Sequence, residues 1–155
     1  MKRFALMILL TIVGLSIGRA ESPYSSDPGD AEAKLRPIET SLQNALESGN
    51  PGLQASAAQV AREVEARFPR YDFSALIIPL MRILKNEDGD AGTRILAALA
   101  LHDLRSARGD YAIQGIAAST DDQRLKHLCR WLVIYRAKGY SSFGPGATLI
   151  ATRPK

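Results

Sequence analysis

The chain has 155 residues, 46% of them hydrophobic and 6% aromatic, with a formal net charge of +4. That length suits one compact domain with a real core, and the many alanines beside few aromatics point to helix. The charge makes no case for nucleic acid, because Lys2, Arg3 and Arg19 fall in an N-terminal segment that has the form of a removable leader.

In that segment Lys2 and Arg3 precede an apolar run of 14 residues, Phe4 to Ile17, and Gly18-Arg19-Ala20 supplies small residues for cleavage. This is the order of a secretory signal peptide. The run is shorter than the ~20 residues that span a bilayer as a helix. The expectation is a signal over residues 1–20, cleaved after Ala20, and a periplasmic or secreted product. The alternative is an uncleaved anchor, the one case in which membrane contact is expected. No Cys follows the run to mark a lipoprotein. Without the leader the chain keeps 17 basic and 16 acidic residues, and its two halves differ: residues 21–93 hold 7 basic and 12 acidic residues, residues 94–155 hold 10 and 4. Such segregation is the ordinary product of solvated helix faces, or else it orients a partner.

Residues 21–35 carry Pro23, Pro28, Gly29 and several serines without periodicity, which predicts a flexible linker. From Arg36 the pattern is helical, and the helical domain is expected over residues 36–138. Ile38, Leu42, Ala45 and Leu46 make the first apolar stripe. Gly49-Asn50-Pro51 ends that helix and starts the next: a left-handed glycine, an N-cap and a proline at the first helical position. The second helix runs to about Arg67 with Leu53, Ala57, Val60, Ala61 and Val64 inward, and Pro69 stops it.

Asp72 can cap a third helix over residues 73 to about 85, with Leu76, Ile77, Leu80, Ile83 and Leu84 on its stripe. Pro79 in the middle should kink it. A polar turn over residues 86–90 leads into residues 93–104, the run richest in Ala and Leu, where Leu96, Ala97, Ala100, Leu101 and Leu104 share a face. Gly109 is expected to end that helix, and Asp110 to cap a short one through Ala118. Ser119 to Asp122 caps the last helix, which carries Leu125, Leu128, Cys129, Leu132 and Val133 and ends at Gly139. Residues 139–155 form an irregular tail. Its short apolar segment, residues 147–152, can cover an exposed end of the fold, remain disordered, or add to a partner.

Six helices in pairs invite a search for repeats. Setting Leu53-Gln54, Thr93-Arg94 and Leu125-Lys126 level gives offsets of 40 and 32 residues. Small residues then align at Ala57, Ala97 and Cys129, and apolar pairs at Val60-Ala61, Ala100-Leu101 and Leu132-Val133. Upstream, Ala45-Leu46, Ile83-Leu84 and Ile116-Ala117 correspond. With Pro79, the acidic turn through Asp88 and Asp90, Arg94 and the Ala97-Ala100-Leu101 spacing, the chain resembles the HEAT-repeat family of paired helices. The third unit repeats the pattern with Asp121, Asp122, Lys126, Cys129 and Leu132. The first departs from it, with Gln54 where a basic residue is usual and Asn50 in place of the acidic turn. The resemblance covers residues 36–137 and is clearest over 72–107. It implies an all-α fold, a short right-handed α-solenoid of about three antiparallel helical hairpins. Another helical bundle is the alternative.

Catalytic and metal motifs are not evident. The two histidines, His102 and His127, bring no further ligands into register, and His127 and Cys129 are two residues apart and so point to different helix faces. Asp88-Gly89-Asp90 lacks the alternating acids and closing Glu of a calcium loop. Neither a phosphate loop nor a nucleophile elbow occurs. His102 beside Asp103 suggests a surface or turn-facing pair, and Cys129 a buried, inert thiol. No cofactor, metal site or catalytic residue is expected. The remaining surface feature is the last helix, where Arg124, Lys126, Arg130 and Arg136 form a basic end with Trp131 and Tyr135 between them. The expected function is a non-catalytic, exported interaction module whose partner is a protein. A small secreted enzyme or inhibitor with a hidden site, or a membrane-anchored structural protein, are the alternatives.

Overall fold

The computed structural model describes residues 28–139, and among them the regular structure is all helical: α1 Pro28–Glu47, α2 Pro51–Arg67, a 3-10 turn Ser74–Leu76, α3 Ile77–Lys85, α4 Ala91–Asp103, α5 Ala107–Ser119 and α6 Gln123–Ala137. The expected signal peptide and, beyond Gly139, the C-terminal tail lie outside these residues, as do residues 21–27 of the expected linker. No described helix is long and apolar enough to cross a membrane.

Neighbouring helices pack as pairs, α1 on α2, α3 on α4 and α5 on α6. The second members also meet one another, α2 with α4 and α4 with α6, while α3 contacts α1 and α5. Helix α4 is therefore covered from several sides. Its Ala97, Ala98, Ala100 and Leu101 are completely buried, because alanine lets neighbouring backbones approach closely.

Local chemistry sets most boundaries. Asn50 accepts from the amides of Gly52 and Leu53 at 3.0 and 3.2 Å, with Pro51 at the first helical position. Asp90 accepts from the Thr93 amide at 2.7 Å, and Asp122 from those of Arg124 and Leu125 at 2.9 and 3.1 Å. Each cap satisfies amides that the helix itself leaves without partners. Gly49 and Gly139 take φ of 72° and 78°, the left-handed conformation that ends α1 and α6.

Several expectations are corrected. Helix α1 starts at Pro28 and runs through Pro37, so residues 28–35 are helical rather than linker; Leu35 is buried and extends the stripe of Leu42 and Leu46. Pro37 favours a first helical turn and so masks the earlier start. Pro79 does not sit mid-helix. The chain enters through the 3-10 turn, which puts Pro79 in the first turn of α3, where its missing N–H leaves no intrahelical bond unmade. Asp72 accepts from the amide and hydroxyl of Ser74, both at 3.0 Å, but the N-cap position of this turn is Phe73, which makes no side-chain cap.

Gly109 does not end α4. Arg105, at φ 51°, makes the turn, Ser106 caps α5 by accepting from the Gly109 amide at 2.9 Å, and Gly109 lies buried against Leu101. Asp110 is then free to pair elsewhere. In α2 the inward face is Ala57, Ala58 and Ala61, whereas Leu53 and Val60 are 47% and 39% exposed. The close approach of α4 along α2 selects its small residues and turns the larger ones out. Likewise Ile38 of α1 is 40% exposed.

Candidate functional site

Three features stand out from the apolar core: a charged chain of contacts along α2, α4 and α6, the outer face of α6, and a cleft between two turns.

Arg62 of α2 reaches Asp103 of α4, Nε to Oδ2 at 2.7 Å, and the other carboxylate oxygen lies 3.4 Å from Nδ1 of His102. Burial alone would raise the Asp103 carboxyl. Hydrogen bonds from the His102 ring and the Arg62 guanidinium outweigh it and hold the group below the usual carboxylate range. Arg136 of α6 donates through Nη2 to the His102 carbonyl at 3.0 Å and to Asp110 of α5 at 2.8 Å. These contacts join α2, α4, α5 and α6. His102 is fully buried, which corrects the expectation of a surface or turn-facing pair. A void of about 50 Å³ beside His102, Asp110 and Arg136 is large enough for a water and too small for a substrate. Among the described residues no group of three His, Cys, Asp or Glu converges as a metal site would require.

The outer face of α6 is different in kind. Trp131 and Ile134 are 40% and 54% exposed, and Trp131 stacks on Tyr135 with centroids 4.6 Å apart. Arg124 and Arg130 are exposed beside them and Lys126 is half-buried. Trp131 and Leu128 wall a shallow cleft with Arg124 and His127. Of the four cations expected at the basic end, three stay near this face. Arg136 leaves it, drawn inward by Asp110 and the His102 carbonyl. On α6 it shares the buried side with Leu125, Cys129 and Leu132, at spacings of eleven, seven and four residues. Cys129 is buried, and its thiol is pushed up to about 11 by that burial, with the Arg94 charge partly offsetting the effect.

The third feature was not foreseen from the sequence. The α1–α2 turn and the α3–α4 turn border a cleft of about 590 Å³, whose walls include Leu46, Pro79, Ile83 and Arg94. Thr93 ties the two turns: its hydroxyl lies 2.8 Å from Asp90 Oδ2 and 3.3 Å from the Pro51 carbonyl. Arg94 is only 5% exposed; its Nε donates to the Leu84 carbonyl at 3.2 Å, while its buried Nη2 meets no acceptor. A buried donor left unsatisfied costs about 1–3 kcal/mol. The long-range pair Arg62–Asp103 did leave a trace in the sequence, since the 40-residue offset sets Arg62 level with His102 and next to Asp103. Burial of Arg94 left none, because a basic residue at a helix start is ordinarily solvated.

Comparison with protein-family models, curated proteins and solved structures gives no match to this chain.

Proposed function

We propose that the protein is an exported, non-catalytic interaction module, a short HEAT-like solenoid that binds a protein partner through the outer face of α6. The observation that carries the reading is Trp131 and Ile134 exposed on one helix face between Arg124, Lys126 and Arg130. Exposed aromatic and aliphatic anchors flanked by cations suit a partner surface with an apolar pocket and an acidic rim. Three observations support the solenoid: the pairwise helix packing, the contacts between successive second helices, and burial of Ala57, Ala97 and Cys129 at equivalent repeat positions. Stacked helix pairs present extended surfaces and suit binding more than catalysis. Export rests on the basic, apolar and small-residue order of residues 1–20.

A photo-crosslinking residue placed at 131 tests the surface in the exporting cell, with the same group at Ile78, exposed on α3, as the control. The expected result is one discrete adduct from position 131, absent from position 78 and abolished by Arg124→Glu with Arg130→Glu. Adducts to lipid alone, or identical adducts from both positions, would remove α6 as a protein-binding face. Mass spectrometry of the purified protein should find Glu21 as the first residue, and an intact Met1 would replace the exported form with an anchored one.

A further inference from the structure

The cleft between the α1–α2 and α3–α4 turns lies apart from the α6 face and carries its own chemistry. Its inner wall holds a guanidinium with an unused donor: Arg94 is 95% buried, and Nη2 has no acceptor although Nε has one. At its rim stands Asp88, an exposed carboxylate with no partner among the described residues. The other charged groups are already engaged. Asp90 is held by the amide and hydroxyl of Thr93, which keep its carboxyl below the ordinary range, and Glu47 faces Arg82 at 3.8 Å. Between the two unspent groups Leu46, Pro79 and Ile83 supply an apolar wall.

We propose that this cleft binds a short zwitterionic peptide, with its carboxylate on Arg94, its ammonium on Asp88 and an apolar side chain against Leu46 and Ile83. The charges select this class. Three carboxylates against two guanidiniums repel a simple anion, and a simple cation leaves Arg94 without an acceptor. A ligand carrying both charges answers both groups. The volume of about 590 Å³ falls within the range of small-ligand sites and accommodates two or three residues.

Titration of the ¹⁵N-labelled protein with the dipeptide Ala-Leu tests the assignment, read from the amides of Gly49, Gly89 and Thr93 at the cleft. Two blocked forms, acetyl-Ala-Leu and Ala-Leu amide, each remove one charge. The expected result is saturable shifts confined to the cleft with Ala-Leu, and binding weakened roughly two- to fivefold by either block, the effect of losing one ion pair. Asp88→Asn, an exposed change that leaves the core intact, should weaken Ala-Leu by a similar factor and leave acetyl-Ala-Leu unaffected. Arg94→Lys, which keeps the charge and loses the forked donor, should weaken acetyl-Ala-Leu and Ala-Leu alike. Shifts that do not saturate, equal affinity for the blocked forms, or indifference to Asp88→Asn would overturn the proposal.

Discussion

Two glycines of α5 show how far a single position depends on its surroundings. Gly109 and Gly115 stand on the same helix, and helix propensity alone favours alanine at both by roughly 1 kcal/mol. A Cβ at Gly115 meets nothing within 4 Å, whereas one at Gly109 comes to 2.9 Å from the Ser106 hydroxyl and 3.2 Å from the Leu101 carbonyl. The first contact displaces the helix cap and the second strikes backbone. Gly115→Ala should therefore raise stability by about 0.5–1 kcal/mol, and Gly109→Ala should lower it by about 1 kcal/mol or more. Urea denaturation of the two variants gives the signs directly. Cys129 gives a pH test. Its thiol is raised from 9.0 to about 11 by burial, so the folded state favours the protonated form. That contribution is complete below pH 9 and is lost as pH rises toward 11, with a ceiling of about 2–3 kcal/mol. Cys129→Ala should flatten the fall in stability across this window relative to the unsubstituted protein. A parallel fall in both would show that the thiol does not carry it.

Among the elements, α4 was the most legible in the sequence and α2 the least. The Ala and Leu run of α4 announced a helix packed on several sides, and its alanines are indeed completely buried. Replacing Ala97 or Ala100 with Leu should force neighbouring helices apart and cost about 1–3 kcal/mol, visible as a lower urea midpoint with unchanged slope. For α2 the apolar period points to Leu53, Ala57, Val60, Ala61 and Val64; Ala57 and Ala61 are buried together with Ala58, whereas Leu53 and Val60 turn outward. Hydrophobicity indicates which residues avoid water, but the distance between two helices decides how large a side chain fits between them, and that distance is a property of the pair. The same limit explains the displaced boundaries. Pro37, Pro79 and Gly109 each carry a local preference for an end or a kink, and tertiary contacts at Leu35, Leu76 and Leu101 placed the helix limits elsewhere. Caps made by adjacent residues, such as Asn50 and Asp122, are legible in the sequence because nothing distant competes for them.

At the scale of the molecule, the basic end was only partly legible: Arg124, Lys126 and Arg130 could be placed by helical period, while the inward turn of Arg136 depends on Asp110 and the His102 carbonyl, 26 and 34 residues away. That inward turn has a mechanical consequence. Helix α6 packs mainly on α5 and to a smaller extent on α4, whereas α2 packs broadly on α4, so α5 and α6 form the less firmly held end. Arg136 is the polar tie from α6 to both neighbours, and its partly buried bonds to charged and carbonyl oxygen are worth about 1–3 kcal/mol together. On the proposed stack of helix pairs, losing that tie should open the end before the middle. Arg136→Ala is therefore expected to speed hydrogen exchange at the amides of α5 and α6 and to leave those of α2 and α4 nearly unchanged. Uniform acceleration through all six helices would instead mean that the domain opens as a single unit, and that Arg136 stabilises the whole rather than its end.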